Sequence, residues 1–288
     1  MLSRIPIETR ARFARLATLT AVLAYFLVVS GNIVRVTESG LGCPDWPFCY
    51  GSPIPAAHAP AIIEMAHRFF AGSVSILIVV LTVRTLRGRY ASRMVALSWL
   101  LLAVLAVQVL LGALTVWLLL AWWTVAAHLG TGMLTLGAVV TMAWYWRGRS
   151  RLVAGAGIAA VMVFLLLLSG GSVSGTGTAL GCGAQFPQGW PLCAGSLEPY
   201  VNSTAFAQWL HRGWAAITAV AVWWVAARAW KHGGPARHWA LAAGIGILVQ
   251  AALGALMVLN LRPLPLATLH NATAAFTWVA LLGVRDQG

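Results

Sequence analysis

The sequence predicts an all-α integral membrane protein of eight transmembrane helices, built as two tandem four-helix bundles that form a parallel internal repeat. Three observations predict it: extreme apolarity, eight apolar stretches of spanning length, and an ordered set of matches between the two halves. Of 288 residues, 60% are hydrophobic and 9% charged, and mean hydropathy is +0.83, outside the range of water-soluble domains. The formal net charge is +13, but the basic residues form short clusters between long apolar runs. That distribution belongs to membrane topology rather than to a nucleic-acid-binding face. The expected partner is a lipid bilayer, with no nucleic acid.

About 20 mainly apolar residues cross the hydrocarbon core, and the candidate spans follow in order. Residues 17–34 come after Arg4, Arg10, Arg12 and Arg15; no small-residue cleavage site of signal-peptide form follows, so this is a retained first helix. Spans 61–83, 95–119 and 122–146 complete a first half, 1–150. Spans 152–171, 205–229, 239–260 and 264–284 make the second, 151–288. Arg84, Arg87, Arg89 and Arg93, then Arg147, Arg149 and Arg151, then Arg228, Lys231, Arg237 and Arg285 share one set of helix ends with the N-terminal arginines. Only Arg35, Arg68, Arg212 and Arg262 fall at the other. The positive-inside rule then predicts a multi-pass protein of the cell membrane, with cytoplasmic termini and with loops 35–60 and 172–204 facing outward.

All four cysteines fall in those two loops, Cys43 with Cys49 and Cys182 with Cys193. An oxidising exterior favours one disulfide per loop. Zinc ligation by the same residues requires the loops to meet with their thiols reduced.

The halves match in order. Ser30-Gly31, Thr37 and Leu41-Gly42-Cys43 reappear 139 residues later as Ser169-Gly170, Thr176 and Leu180-Gly181-Cys182. Trp46-Pro47-Phe48-Cys49 is echoed by Trp190-Pro191-Leu192-Cys193. His67-Arg68 matches His211-Arg212 at an offset of 144. Gln108, Leu111-Gly112-Ala113-Leu114 and His128 match Gln250, Leu253-Gly254-Ala255-Leu256 and His270 at 142. Four crossings per copy insert both copies in the same orientation, which is a parallel repeat.

His67, His128, His211 and His270 each lie about six residues inside the outward end of a helix, on the order of 9 Å deep. His58 sits in the outward loop, and His232 and His238 flank a cytoplasmic turn. Ionisable residues within membrane helices are costly and mark function, although a histidine can also serve as interhelical glue. Zinc or copper would ask for further Cys, His or carboxylate ligands, and the helix interiors offer Glu64. A heme iron needs two axial imidazoles, one on each side of a flat macrocycle, and four apolar helices can enclose the ring. Arg68 and Arg212 then suit heme propionates or, alternatively, snorkel to the interface. Gly72, Gly130, Gly132 and Gly213 would let a flat ring approach the backbone.

Symmetry breaks at Glu64, three residues before His67, where the second half has Gln208. Apolar surroundings can tune such a carboxyl to exchange protons near neutrality, as a general acid or base does. The alternative is a carboxylate paired with Arg68 or Arg35. On the first reading the N-terminal half reacts and the C-terminal half serves it.

With these residues in place, the chain resembles the heme A synthase family. The resemblance runs through Thr-Glu-Ser-Gly-Leu-Gly-Cys-Pro-Asp-Trp-Pro at 37–47, Glu-Met-Ala-His-Arg at 64–68, His-Leu-Gly at 128–130, His-Arg at 211–212 and His270. The cysteine pairs look like those of its bacterial branch. The resemblance implies oxidation of one methyl of heme O to a formyl, by successive hydroxylations, giving heme A. It implies His67 and His128 as ligands of the substrate heme, Glu64 as the catalytic residue, and His211 and His270 as ligands of a heme B that passes electrons. It further implies the disulfides Cys43–Cys49 and Cys182–Cys193, although five residues separate the first pair and ten the second. Expected partners are heme O synthase and the assembly of terminal oxidases. The competing readings are a di-heme, quinone-linked b-type electron-transfer cytochrome and a transporter using His and Glu as a proton relay.

Overall fold

The computed structural model describes residues 5–88, 90–148, 151–197 and 204–286. Arg4, Arg89 and Arg149 of the basic clusters lie outside the described residues. The described chain is helical throughout its long elements: α1 Ile7–Val36, α2 Ala59–Arg87, α3 Ser92–Trp117, α4 Trp122–Trp146, α5 Ala156–Gly175, α6 Thr204–His232, α7 Ala236–Leu259 and α8 Leu264–Leu282. A 3-10 turn covers Thr178–Leu180, and two-residue strands β1 (Arg151–Leu152) and β2 (Arg285–Asp286) pair antiparallel.

Several helices outrun their apolar stretches. The first begins ten residues before its apolar span, because Glu8, Arg10, Arg12 and Arg15 are good helix formers and continue the spiral into the polar region. Specific residues fix the starts. His58 caps α2 by accepting the Ala61 N–H at 3.5 Å, with Pro60 in the first turn. Pro265 occupies the first turn of α8, and Gly155 precedes α5 at φ 88°, where a side chain is disfavoured. Arg84 and Arg87 close α2, at the end where the helix dipole favours cations.

Six helices, α1 to α5 and α7, are long and apolar enough to cross a membrane among the described residues. The other two of the eight expected spans, α6 and α8, fall short by that measure. Gln208, His211 and Arg212 dilute α6, and Thr268, His270 and Asn271 dilute the 19-residue α8. Many side chains directed away from the packed cores are large and apolar, including Ile76, Trp99, Ile158 and Val220. Such faces are stable against lipid rather than water, and the chain is a multi-pass membrane protein.

The chain forms two compact units. The first comprises Met1–Leu120, His128–Leu152 and Arg285–Gly288. In it α2 packs against both α1 and α3. Its far end from the cysteine loop is closed by buried Trp146, stacked on Phe13 at 4.5 Å and edge-on to Tyr90 at 5.0 Å. The second comprises Ala121–Ala127 and Val153–Val284. There α5, α6, α7 and α8 pack in a ring, each against the next and α8 back onto α5. The Trp278 Nε1–H of α8 donates to Ala160 O of α5 at 2.9 Å, satisfying a polar atom that apolar surroundings would otherwise strand.

Corresponding turns adopt corresponding backbones. The α3–α4 turn places Leu119 and Leu120 at φ 50° and 59°, and the α7–α8 turn places Leu261 and Arg262 at 58° and 61°. In the cysteine loops, Tyr50 and Gly51 have φ 55° and 74°, and Ala194 and Gly195 have 51° and 78°. Non-glycine residues rarely adopt such angles.

Candidate functional site

Four histidines project from the second or third turns of α2, α4, α6 and α8. Each lies six to eight residues from its helix start, roughly 9–12 Å along the axis. His67 and His128 are within electrostatic range of each other, and so are His211 and His270. Each unit therefore brings two imidazoles close enough to interact.

Hydrogen bonding fixes how these rings present their nitrogens. Ser30 Oγ lies 2.8 Å from His67 Nδ1 and also donates its only proton to Leu27 O at 2.8 Å. A hydroxyl has one hydrogen, so toward the imidazole Ser30 accepts. Nδ1 therefore carries the proton and Nε2 keeps a free lone pair. The same arrangement holds His211: Ser169 Oγ donates to Leu166 O at 2.8 Å and accepts from Nδ1 at 2.7 Å. His270 donates from Nδ1 to Gln250 O at 3.1 Å, while Gln250 Nε2 meets its Nε2 at 3.0 Å. Around His128, Gln108 Nε2 lies 3.4 Å from the ring Nε2, and Gln108 Oε1 accepts from the Thr131 hydroxyl. His128 Nδ1 is buried without a hydrogen-bond partner among the described residues.

Each ring also rests against a glycine of the neighbouring helix. A Cβ on Gly31 would lie 3.2 Å from His67 Cε1, on Gly112 3.1 Å from His128 Cε1, on Gly170 3.2 Å from His211 Cε1, and on Gly254 3.0 Å from His270 Cε1. These contacts are tighter than ordinary packing accepts. Of the glycines expected to admit a flat ring, Gly72 and Gly213 have no atom within 4 Å of a built Cβ, and Gly132 backs onto Gln108. Gly130 is buried.

The cysteine loops sit directly on the ligand helices. Cys43–Cys49 and Cys182–Cys193 are disulfide-bonded. A side chain at Gly42 would strike the Pro60 carbonyl, and one at Gly181 the Thr204 carbonyl, so Leu-Gly-Cys seats each loop on the first turn of α2 or α6. Glu64, 4% exposed, accepts the Cys43 N–H on Oε2 at 2.8 Å. Gln208, also 4% exposed, accepts the Cys182 N–H on Oε1 at 2.8 Å. The carboxylate and the amide thus hold the two loops in the same way.

The arginines complete the frame. Arg68 Nη1 donates to Asp45 O at 2.8 Å and Phe48 O at 2.6 Å. Arg212 Nη1 donates to Gly189 O at 2.8 Å and Leu192 O at 3.1 Å. Arg68 Nη2 pairs with Glu64 Oε1 at 2.5 Å, so of the two states open to Glu64 the paired one is found, with Arg68 rather than Arg35. Arg212 Nη2 is buried and has no hydrogen-bond partner among the described residues. In the first loop Asp45 accepts from the Gly51 and Tyr50 amides at 2.7 and 2.6 Å. The Gly51 bond foremost holds its carboxyl below the usual aspartate range.

No cluster of three or more His, Cys, Asp or Glu able to hold a bare metal ion occurs among the described residues. Paired imidazoles whose Nε2 lone pairs are free, or held by a single amide N–H that iron would displace, would suit a heme iron, and each ring has one edge against a glycine backbone. The donor set fits that group. Ser30, Ser169, Gln108, Gln250 and the four ring-contacting glycines were visible in sequence only as markers of the internal matches. Their recurrence at matching positions in both halves, like that of the histidines, was the signal that could have assigned them.

A profile of the cytochrome oxidase assembly protein family matches residues 14–282. Curated relatives named heme A synthase align over most of the chain. The one from Geobacillus thermodenitrificans is 27% identical, covering 93% of this chain and 87% of its own. That from Lysinibacillus sphaericus is 28% identical over 90% and 88% of the two chains. That from Symbiobacterium thermophilum is 30% identical over 91% and 90%. A match of this extent, carried on two framed histidine pairs, means that the chain belongs to the cytochrome oxidase assembly family of the heme A synthases.

Proposed function

We propose that this chain is a heme A synthase, taking heme O as substrate and releasing heme A for the assembly of terminal oxidases. Two successive hydroxylations of one methyl, each a two-electron oxidation of the substrate that draws on an electron acceptor outside this chain, give a hydrate that loses water to become the formyl group. The observation that carries this reading is the recurrence of one frame, Ser–His facing Gln–His, in a chain whose relatives bear that name. In it, residues 1–150 and 151–288 are tandem four-helix bundles, eight spans in all, in parallel orientation. The N-terminal half takes the substrate heme between His67 and His128; the C-terminal half keeps a heme B between His211 and His270. Bound heme B would supply one-electron chemistry. The chain's own residues orient the rings, exclude water and hold the loops. Glu64 is the catalytic residue, three positions from His67 and anchored by Arg68 and the Cys43 amide. The arginine distribution and the disulfides support cytoplasmic termini and outward cysteine loops, with heme O synthase as the donor of the substrate.

The test is extraction and chromatographic identification of hemes from protein expressed in cells that make heme O. Heme A with the wild type, and its absence with Glu64→Gln, is the expected pair of results. Heme B alone from the wild type despite available heme O would favour a di-heme electron carrier, the reading that the Glu64/Gln208 asymmetry disfavours.

A further inference from the structure

The two arginine frames are alike except at one atom. Position 64 and its counterpart 208 hold the cysteine loops through the same bond, 2.8 Å to the amide of Cys43 or Cys182. Arg68 and Arg212 both spend Nη1 on loop carbonyls. The remaining donor differs. Arg68 Nη2 is satisfied by Glu64, whereas position 208 holds a neutral amide whose oxygen accepts from Cys182, and Arg212 Nη2 stays buried with no hydrogen-bond partner among the described residues. A buried guanidinium N–H left without a partner is costly and is best satisfied by an anion. A guanidinium with an unused N–H matches a carboxylate oxygen best.

We propose that this difference sets how firmly each half holds its heme. Arg212 is the seat of a propionate of the heme in the second half, which is thereby resident. Glu64 already fills the equivalent place on Arg68, so the heme of the first half lacks that anchor and exchanges. One substituted residue pair separates a cofactor site from a substrate site. The inference rests on the assignment of one heme to each histidine pair.

Heme transfer tests it without reference to turnover. Full-length protein loaded with heme B at both sites is mixed with excess apomyoglobin, and transfer is followed by absorbance. Two phases are expected, and His67→Ala should retain only the slow one, His211→Ala only the fast one. Glu64→Gln, which frees Arg68, should slow the fast phase by about tenfold or more, the scale of a charge-assisted hydrogen bond. Gln208→Glu should speed the slow phase comparably. Unmodified protein loaded with the dimethyl ester of heme B, whose propionates are blocked, should lose the slow phase. Ester held as slowly as heme B, or both variants leaving both phases unchanged, would overturn the proposal. Fewer than two hemes in the unmodified protein, or histidine variants that fail to remove one phase each, would instead sink the ligand assignment beneath it.

Discussion

Replacing Ser169 by alanine isolates the part of the frame that sets the imidazole's state. The hydroxyl accepts from His211 Nδ1 at 2.7 Å while donating to Leu166 O at 2.8 Å. Without it a buried Nδ1–H loses its partner, a cost of about 1–3 kcal/mol. A bonded Nδ1–H makes the ring a stronger donor to iron, which favours the ferric state. If about 1 kcal/mol of the loss depends on oxidation state, the midpoint potential of the heme held by His211 rises by roughly 40 mV, since a tenfold change is about 59 mV for one electron. Ser169→Thr keeps the hydroxyl and should restore the original value. Potentiometric titration of the reduced-heme absorbance measures this. Nitrogen-15 resonances of histidine in the heme-free protein report separately whether Nδ1 carries the proton. An unchanged potential in Ser169→Ala, or a heme-free His211 protonated on Nε2, would refute the argument.

Four further outcomes follow from named contacts. Glu64→Gln should retain heme while formyl formation falls to background in product chromatography. Gly254→Val should drive atoms into the His270 ring, whose Cε1 stands 3.0 Å from a bare Cβ, and its low-spin absorbance should weaken while helix content by circular dichroism stays intact. Cys43→Ser with Cys49→Ser should destabilise the first loop by about 2 kcal/mol on chain-entropy grounds, read as faster amide exchange at Tyr50 and Gly51. Those same amides report acid sensitivity. The Asp45 carboxyl is depressed in the folded loop, first by the Gly51 bond, so its contribution is present above the ordinary aspartate value of about 4 and lost as pH falls below it. Exchange at Tyr50 and Gly51 should quicken in that range, and Asp45→Asn should remove the pH dependence.

Hydropathy marked the helices because apolar length is a one-dimensional property, and the histidines stood out because charge is rare in such segments. The ends were less legible: whether Glu8 and Arg10 continue α1 depends on local hydrogen bonding that apolarity does not encode. Glu64 shows the limit most clearly. Its place one turn before Arg68 allowed either a free carboxyl or an ion pair, and only the folded loop, bringing the Cys43 amide to Oε2, distinguishes them. Gln208 stood in the sequence only as a break in symmetry; its bond to Cys182 shows one structural task carried out by two residue types. Ser30 and Gly31 lie 37 and 36 residues from His67, and such pairings come from α1 meeting α2, which periodicity within one helix cannot reveal.

The glycines against the four rings have a mechanical consequence. Where a side chain separates a ligand from the next helix, rotamer changes can absorb a small shift of that helix. Here each imidazole edge bears on main chain, so no such cushion exists. Helix separation and ring tilt become a single coordinate, and the attitude of each ring is a property of the helix pair rather than of the histidine.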